Sequence, residues 1–390
     1  MNRTYKLFGA SCIVITLALF LPVRTYEAPQ ETPAPTAAPQ ESPVPSAAPQ
    51  ESPAPSAAPR ESPAPSAAPQ ESPAPSAAPQ QTPAPSATVN TSARSAGLWR
   101  DRGNIGSLNL VYGPGGIGHQ PAGKFTFVKE DKQGTSPKFE IVDEQGVRWK
   151  VKLGEEARSE TAAARLVWAV GYFADEDYYL PELRVEKMPK LHRGHQFVSA
   201  DGVVQGVRLK RRLKGEKKNG NWSWFKNPFV GTKELNGLRI MMALMNNWDL
   251  KEINNAIYKE QGEAPHYAVS DLGASFGRTG NPLTRSKDNL QDYRGTKFIQ
   301  EVKADYVDFF LSSRPISLTV VDVPNYVTRT KMQGVVKHIP RTDAKWLGQL
   351  LGQLSVEQIR DCFRAAGYSP EEVEGFATVV QGRIAELNRL

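Results

Sequence analysis

Residues 246–255 read NNWDLKEINN. They follow a helical run, GTKELNGLRIMMALM (231–245), and precede a strand-like AIYKE. Alone, the stretch reads as a polar helix end capped by Asn246 or Asn247. A second stretch, VSDLGASFG (269–277), changes the weighing. Asp249 and Asp271 flank a predicted β-hairpin, NAIYKE and HYAVSDLG joined by QGEAP, and Asn254 lies five residues after Asp249. Magnesium takes hard oxygen ligands, usually one or two carboxylates with phosphate oxygens and water. Asp–x4–Asn followed by Asp–x–Gly at the end of the next strand supplies such oxygens. Gly273 would let the backbone turn sharply there. The bland reading is a helix cap plus a tight turn at Leu272-Gly273. Joined by one hairpin, the two stretches favour chemistry.

Working outward, residues 107–152 read as strands. FTFVKED (125–131), KFEIVDE (138–144) and VRWKVKL (147–153) alternate apolar and polar residues, with turn residues between them. EEARSETAAARLVWAVGYF (155–173) reads as a helix, and FVSADGVVQGVRLKRRL (197–213) as a second hairpin turning at Asp201-Gly202. From 231 onward helices are expected, interrupted by the one polar hairpin. The tail from Asp343 reads as three helices broken near Ser355 and at Gly367–Pro370.

The paired motifs resemble the catalytic and metal-binding loops of the protein-kinase-like fold. Kinases carry H-R-D-L-x-x-x-N and D-F-G; this chain has NWDLKEIN (247–254) and DLG (271–273). The His and Arg before the catalytic Asp are missing, which resembles atypical kinases such as HipA-type or secretory-pathway kinases. The resemblance implies an α+β, two-lobed domain: a small antiparallel β-rich lobe with one helix, then a larger helical lobe. It implies that Asp249 positions or deprotonates the acceptor hydroxyl and that Lys251 steadies the transferring phosphate. Asn254 and Asp271 would bind Mg2+ (or Mn2+), and ATP would be the donor. The resemblance also asks for a strand lysine that holds phosphates and pairs with a helix glutamate. Lys150 and Lys152 share one strand face; the V-x-K pattern favours Lys152, with Glu160 as partner and Glu156 as runner-up. The phosphate-covering loop would be 129–138, offering Gly134, Thr135 and Ser136. An ordinary hairpin turn and a solvated strand lysine are the plain alternatives.

GPGGIG (113–118) fits G-x-G-x-x-G, but HQPAGKFTFV follows and offers no helix for a pyrophosphate, so it reads as a glycine-rich turn. Arg208, Lys210, Arg211, Arg212, Lys214, Lys217 and Lys218 fall within eleven residues, with Trp222, Trp224 and Phe225 close behind. Such a run could meet an anionic polymer or acidic substrate, or be a solvated strand and loop with an aromatic plug.

The N-terminus is of another kind. Residues 7–23 are nearly all apolar after Arg3 and Lys6, as in a signal peptide or membrane anchor. Residues 28–87 hold six copies of a unit close to APQESPAPSA, with 18 of the 31 prolines. Such a stretch has little to bury and few backbone donors, so a disordered, semi-rigid stalk is expected. Cys12 lies in the apolar run and Cys362 is the other cysteine, which excludes a cysteine-rich metal site; the five His show no zinc spacing. The formal excess of +7 falls wholly beyond residue 100. The expected organisation is 1–25 signal or anchor, 26–97 Pro/Ala/Ser-rich repeats, 98–225 β-rich lobe and 226–390 helical lobe. The expected setting is extracytoplasmic, secreted or anchored in the cell envelope. The partner would be a protein or small-molecule acceptor rather than nucleic acid. The alternative is a non-catalytic, envelope-tethered scaffold or anionic-polymer binder.

Overall fold

In the computed structural model the described residues are 97–390, apart from 135, 213–214, 216, 260–263, 279–284 and 312–330. The apolar run and the decapeptide repeats lie outside them. So does Thr135. No helix among the described residues is long and apolar enough to cross a membrane.

Three strands form a meander: β1 (Phe125–Asp131), β2 (Lys138–Asp143) and β3 (Arg148–Leu153). Helix α1 (Glu156–Ala169) follows, then β4 (Asp177–Glu186) and β5 (Val203–Arg211). The strand order is β1-β2-β3-β5-β4, closed into a barrel by a two-residue parallel pairing of β1 with β4. Strand alternation sorts the side chains. Phe139, Ile141, Trp149, Val151, Leu153, Val207 and Leu209 fill the barrel interior. Lys138, Lys150, Lys152, Arg208 and Lys210 fall on the alternate positions and line the cleft outside it.

The ten-residue β4 was not anticipated. The sequence pattern predicts only the 197–213 hairpin, whereas β5 pairs along its length with β4. Pro181 lacks an N–H and breaks the pattern of DYYLPELRVE, which hides the strand. The GPGGIG stretch is two short 3-10 turns, Gly113–Gly115 and Ile117–His119, with no helix after them.

The second half begins with β6 (Lys217–Lys218), then α2 (Lys233–Leu244), β7 (Asn255–Lys259) and β8 (His266–Val269). Thr232 caps α2 by accepting from the Leu235 N–H. The sheet order β6-β7-β8 adds β6, which follows the barrel in the chain, to the expected hairpin. A short α3 (Leu290–Arg294) precedes a second small sheet, β9 (Ile299–Val302), β10 (Tyr306–Phe309) and β11 (Ile339–Pro340), which sequence reading did not anticipate. Strands of two to four residues carry too little periodicity to be read.

The tail folds as α4 (Arg341–Leu351), α5 (Val356–Arg364) and α6 (Pro370–Asn388). Ser355 and Ser369 each start a helix with a full capping box, and Gly367 takes a positive φ of 74° between α5 and α6. One apolar core joins α2 and α4–α6 to the inner face of α1 and to Leu98, Ile105 and Leu110. Helix α1 is buried nearly all round, held between barrel and helical core.

Candidate active site

The hairpin places the two motifs side by side. Asn255 pairs with Val269 in the β7–β8 ladder. One step further, the Asn254 carbonyl accepts from the Ser270 N–H (2.8 Å) and the Ser270 hydroxyl (3.1 Å). Asp271 is the next residue. Its side chain therefore lies beside Asn254 because of strand register. The Asn254 amide nitrogen donates to the Asp249 carbonyl at 2.7 Å and fixes the loop between them. Asp249 also receives Lys251, Nζ to Oδ1 at 2.7 Å. Trp224 holds the loop from behind, its Nε1 donating to the Leu250 carbonyl (3.1 Å), and Trp222 holds the neighbouring strand β8, its Nε1 donating to the Ala268 carbonyl (3.0 Å). Of the two readings of the basic-aromatic run, these rings fit the plug.

From the barrel side, Lys152 on β3 reaches the same place. Its Nζ lies 2.7 Å from Glu160 Oε2, 2.8 Å from Glu156 Oε2 and 3.2 Å from Asp271 Oδ1. A strand lysine, a glutamate of the following helix and the aspartate of the D-L-G turn thus share one ion cluster. The fold is kinase-like.

Among solved structures, the chain is similar to a Helicobacter pylori proinflammatory kinase, CtkA, with a TM-score of 0.42 and 11% identity over 69% of this chain and 97% of that one. It is also similar to the Golgi casein kinase, with a TM-score of 0.30 and 12% identity over 67% of this chain and 75% of that one. No family model and no curated protein matches the chain.

In this kinase-like fold, Glu156 and Glu160 lie one helical turn apart and both engage Lys152, so the expected partner and its runner-up act together. Behind Glu160 the network continues: Arg208 lies 2.7 Å from Glu160 Oε2 and 3.2 Å from Asp177 Oδ1. Lys287 holds the other oxygen of Glu156 at 2.7 Å. Sequence reading assigned no site role to Arg208, Asp177 or Lys287. Arg208 sat in the basic run, but strand alternation alone does not say which face a helix will cover.

The charges are unequally satisfied. Burial works against the Lys152 cation, but Glu160, Asp271 and Glu156 outweigh it and raise its pKa. Burial also works against ionised Glu156, yet Lys152 and Lys287 hold its carboxyl far below the usual range. Asp271 goes the other way: burial, then Glu160, raise its pKa, with Lys152 opposing. Pairing alone would raise the Lys152 pKa and lower that of Asp271, yet both are raised. The reason is geometric. One amine serves three carboxylates, and Asp271 is the farthest. Asp177 is pushed up to about 7 by burial, with Arg208 opposing.

The open cleft between barrel and hairpin measures about 510 Å³, within the range of ligand sites. Gly134, Ser136, Lys152, Glu160, Asp249, Lys251, Asn254 and Asp271 all line it. Gly134 has a positive φ of 68°, and its carbonyl accepts from Arg193. The Ser136 hydroxyl donates to Glu156 at 2.9 Å.

The donor set fits a hard divalent cation. Asp271 is crowded by protein on the cleft floor, which is what raises its pKa, yet its side chain is 41% open to the cleft and can offer a carboxylate. Asn254 commits its nitrogen to Asp249, and its amide oxygen has no hydrogen bond among the described residues. No group of three or more His, Cys, Asp or Glu among the described residues could hold a metal. A cation here would complete its shell with phosphate oxygens and water.

Gly273 differs from expectation. It has no positive φ. A Cβ there would come within 2.7 Å of Glu156 Cβ. The glycine is needed because α1 packs directly on the turn, where the Ser159 hydroxyl donates to the Gly273 carbonyl at 2.7 Å. Gly273→Ala is expected to push Glu156 off Lys152 and to destabilise the protein by about 1–3 kcal/mol, the cost of overpacking. Denaturant titration measures it; an unchanged midpoint would remove the close-packing argument.

Proposed function

We propose that the chain is a metal-dependent phosphotransferase that binds Mg-ATP (or Mn-ATP) in this cleft and transfers a phosphoryl group to a hydroxyl of a protein or small molecule. One observation carries the reading: Lys152, Asp249, Asn254 and Asp271, drawn from two halves of the chain, line a single cleft. Asn254 and Asp271 would hold the cation. When bound, it supplies charge neutralisation on the phosphates.

The chain's own residues do the rest. Lys152, fixed by Glu156 and Glu160, presents its amine to phosphate oxygens. Lys251 stands at 2.7 Å from Asp249 and supplies a second cation to the transferring group. Asp249 accepts the proton of the acceptor hydroxyl. A P–O bond forms to that oxygen, the phosphoanhydride P–O bond breaks, and the diphosphate departs. The apolar run at 7–23 and the proline-rich repeats support an extracytoplasmic placement with an envelope tether.

The test is the thermal midpoint of the full chain with ATP and Mg2+ or Mn2+. A metal-dependent rise is expected, lost in Asp271→Asn. Asp249→Asn is expected to keep the rise but slow transfer about 10²–10⁴-fold, the usual worth of a positioned base. A proton competes with the metal for Asp271, whose pKa is raised by burial and Glu160. The metal-dependent rise is therefore full at neutral pH and fades as pH falls, starting above the ordinary aspartate value of 3.8. No metal-dependent rise in the unsubstituted protein would sink the proposal.

A further inference from the structure

The barrel face above the cleft is charged across its width. Strand pairing sets Lys138, Lys152 and Arg208 in one cross-strand row, and Glu140, Lys150 and Lys210 in the next. Lys218 enters from β6, which pairs with β7 beside Tyr258. Most of these charges have partners. Lys150 binds Asp131 at 2.6 Å, Lys210 binds Asp175 at 2.5 Å, and Glu140 takes Arg212 at 3.0 Å. Lys138 and Lys218 have no ion-pair partner among the described residues. Each is also disfavoured as a cation: burial lowers both pKa values, and both feel Lys150 as a like charge. Unpaired cations pressed together in a concave site concentrate anions.

Among the described residues, the same cleft offers little to a nucleobase. Bases are held by stacking on aromatic or apolar faces and read by free polar groups at their edges. Ile253 and Tyr258 are the apolar and aromatic side chains among the lining. Ile253 is 67% exposed, and Tyr258 is only 6% exposed, with its hydroxyl taken by Lys210 at 2.9 Å. Apart from Gly134, the other described lining residues are all polar or charged. The backbone just after β6 is also engaged: the Asn219 N–H donates to the Ile257 carbonyl (2.7 Å), and the Gly220 carbonyl accepts from the Ile257 N–H (3.0 Å).

We infer that this site recognises its phosphoryl donor by the polyphosphate chain and not by the base, with Lys138 and Lys218 as the specificity-determining cations. Nucleoside triphosphates of any base, and inorganic tripolyphosphate itself, are then ligands of one class. This rests on the phosphotransferase reading above.

Calorimetric titration of the full chain with ATP, GTP and inorganic tripolyphosphate, each with Mg2+, tests it. The three dissociation constants are expected within about threefold, a difference near RT. Lys138→Ala and Lys218→Ala are each expected to weaken all three by about fivefold to tenfold, the scale of one charge contact. Neither substitution removes a partner, so the midpoint of the unliganded protein should not fall. ATP binding more than about tenfold tighter than tripolyphosphate, or lysine variants that bind as well as the parent, would overturn the inference and leave the phosphotransferase reading standing. Failure of all three ligands to bind would overturn both.

Discussion

Lys152→Met is expected to lower the unfolding free energy of the unliganded protein by about 3–5 kcal/mol, the cost of removing one partner from a buried ion cluster. Methionine keeps the apolar stem and removes the charge. The Lys152 side chain is 6% exposed and touches three carboxylates. Glu160 would keep Arg208, and Glu156 would keep Lys287, but Asp271 would be left facing both across the vacated centre. The effect has a pH signature. Glu156 and Glu160 are held below the ordinary value of 4.5, so the stability they contribute is present above that pH and is lost as pH falls through their folded-state values. The penalty of Lys152→Met should be full at pH 7 and shrink well below pH 4.5 as the carboxylates protonate. Urea titrations of both proteins at several pH values measure it. A loss under about 1 kcal/mol at pH 7 would mean that the cluster is already relaxed by water, contrary to the burial argument.

Arg383→Met is expected to cost a comparable 3–5 kcal/mol or so, for a different reason. Arg383 on α6 is 3% exposed. Its guanidinium donates to the carbonyls of Ala243 (3.3 Å), Leu244 (2.7 Å), Tyr293 (3.2 Å) and Thr296 (3.0 Å). It also stacks over Tyr293 at 4.1 Å. Two of those carbonyls end α2, whose last C=O groups have no partner within the helix. The chain then enters Asn246, at a positive φ of 53°, and the loop that carries Asp249. Removing the guanidinium takes the donor from the Thr296 carbonyl and a second donor from the Ala243, Leu244 and Tyr293 carbonyls, which keep the Asn246 N–H, the Tyr293 hydroxyl and the Thr296 N–H, and it loosens the start of that loop. Arg383→Lys should recover only part of the loss, because one ammonium cannot span carbonyls from two segments. Denaturant unfolding gives the stability. Metal-dependent nucleotide binding, measured well below the midpoint of the variant, reads the loop. Stability within about 0.5 kcal/mol of the parent would refute the role.

Much of the site was legible because its residues are close in sequence. NWDLKEIN, the hairpin and DLG span 27 residues, 247–273, and strand register alone brings Asn254 beside Asp271. Lys152 and the glutamates were legible because strand alternation and the helical repeat both have fixed periods. Arg208 and Asp177 were not. They lie on β5 and β4, and only the β4–β5 pairing and the packing of α1 place them behind Glu160. The same holds for Gly273, whose constraint is a helix from 117 residues earlier and not its own φ. Lys138 ends the stretch expected to cover the phosphates and Lys218 ends the basic run, but only the placement of β2 and β6 brings the two to one cleft.

The sequence by itself determined the local pieces: the meander, the long first helix, the polar hairpin and the capped C-terminal helices. Each rests on a periodicity or a cap that acts within a few residues. Tertiary structure decided which pieces meet. The β4 strand that completes the barrel, the helix pressed against the DLG turn, and the guanidinium of α6 beneath the Asp249 loop all depend on contacts more than 100 residues apart or on a strand that proline conceals. Such contacts are settled by burying one shared core while pairing its buried charges, and no short window of sequence contains both partners.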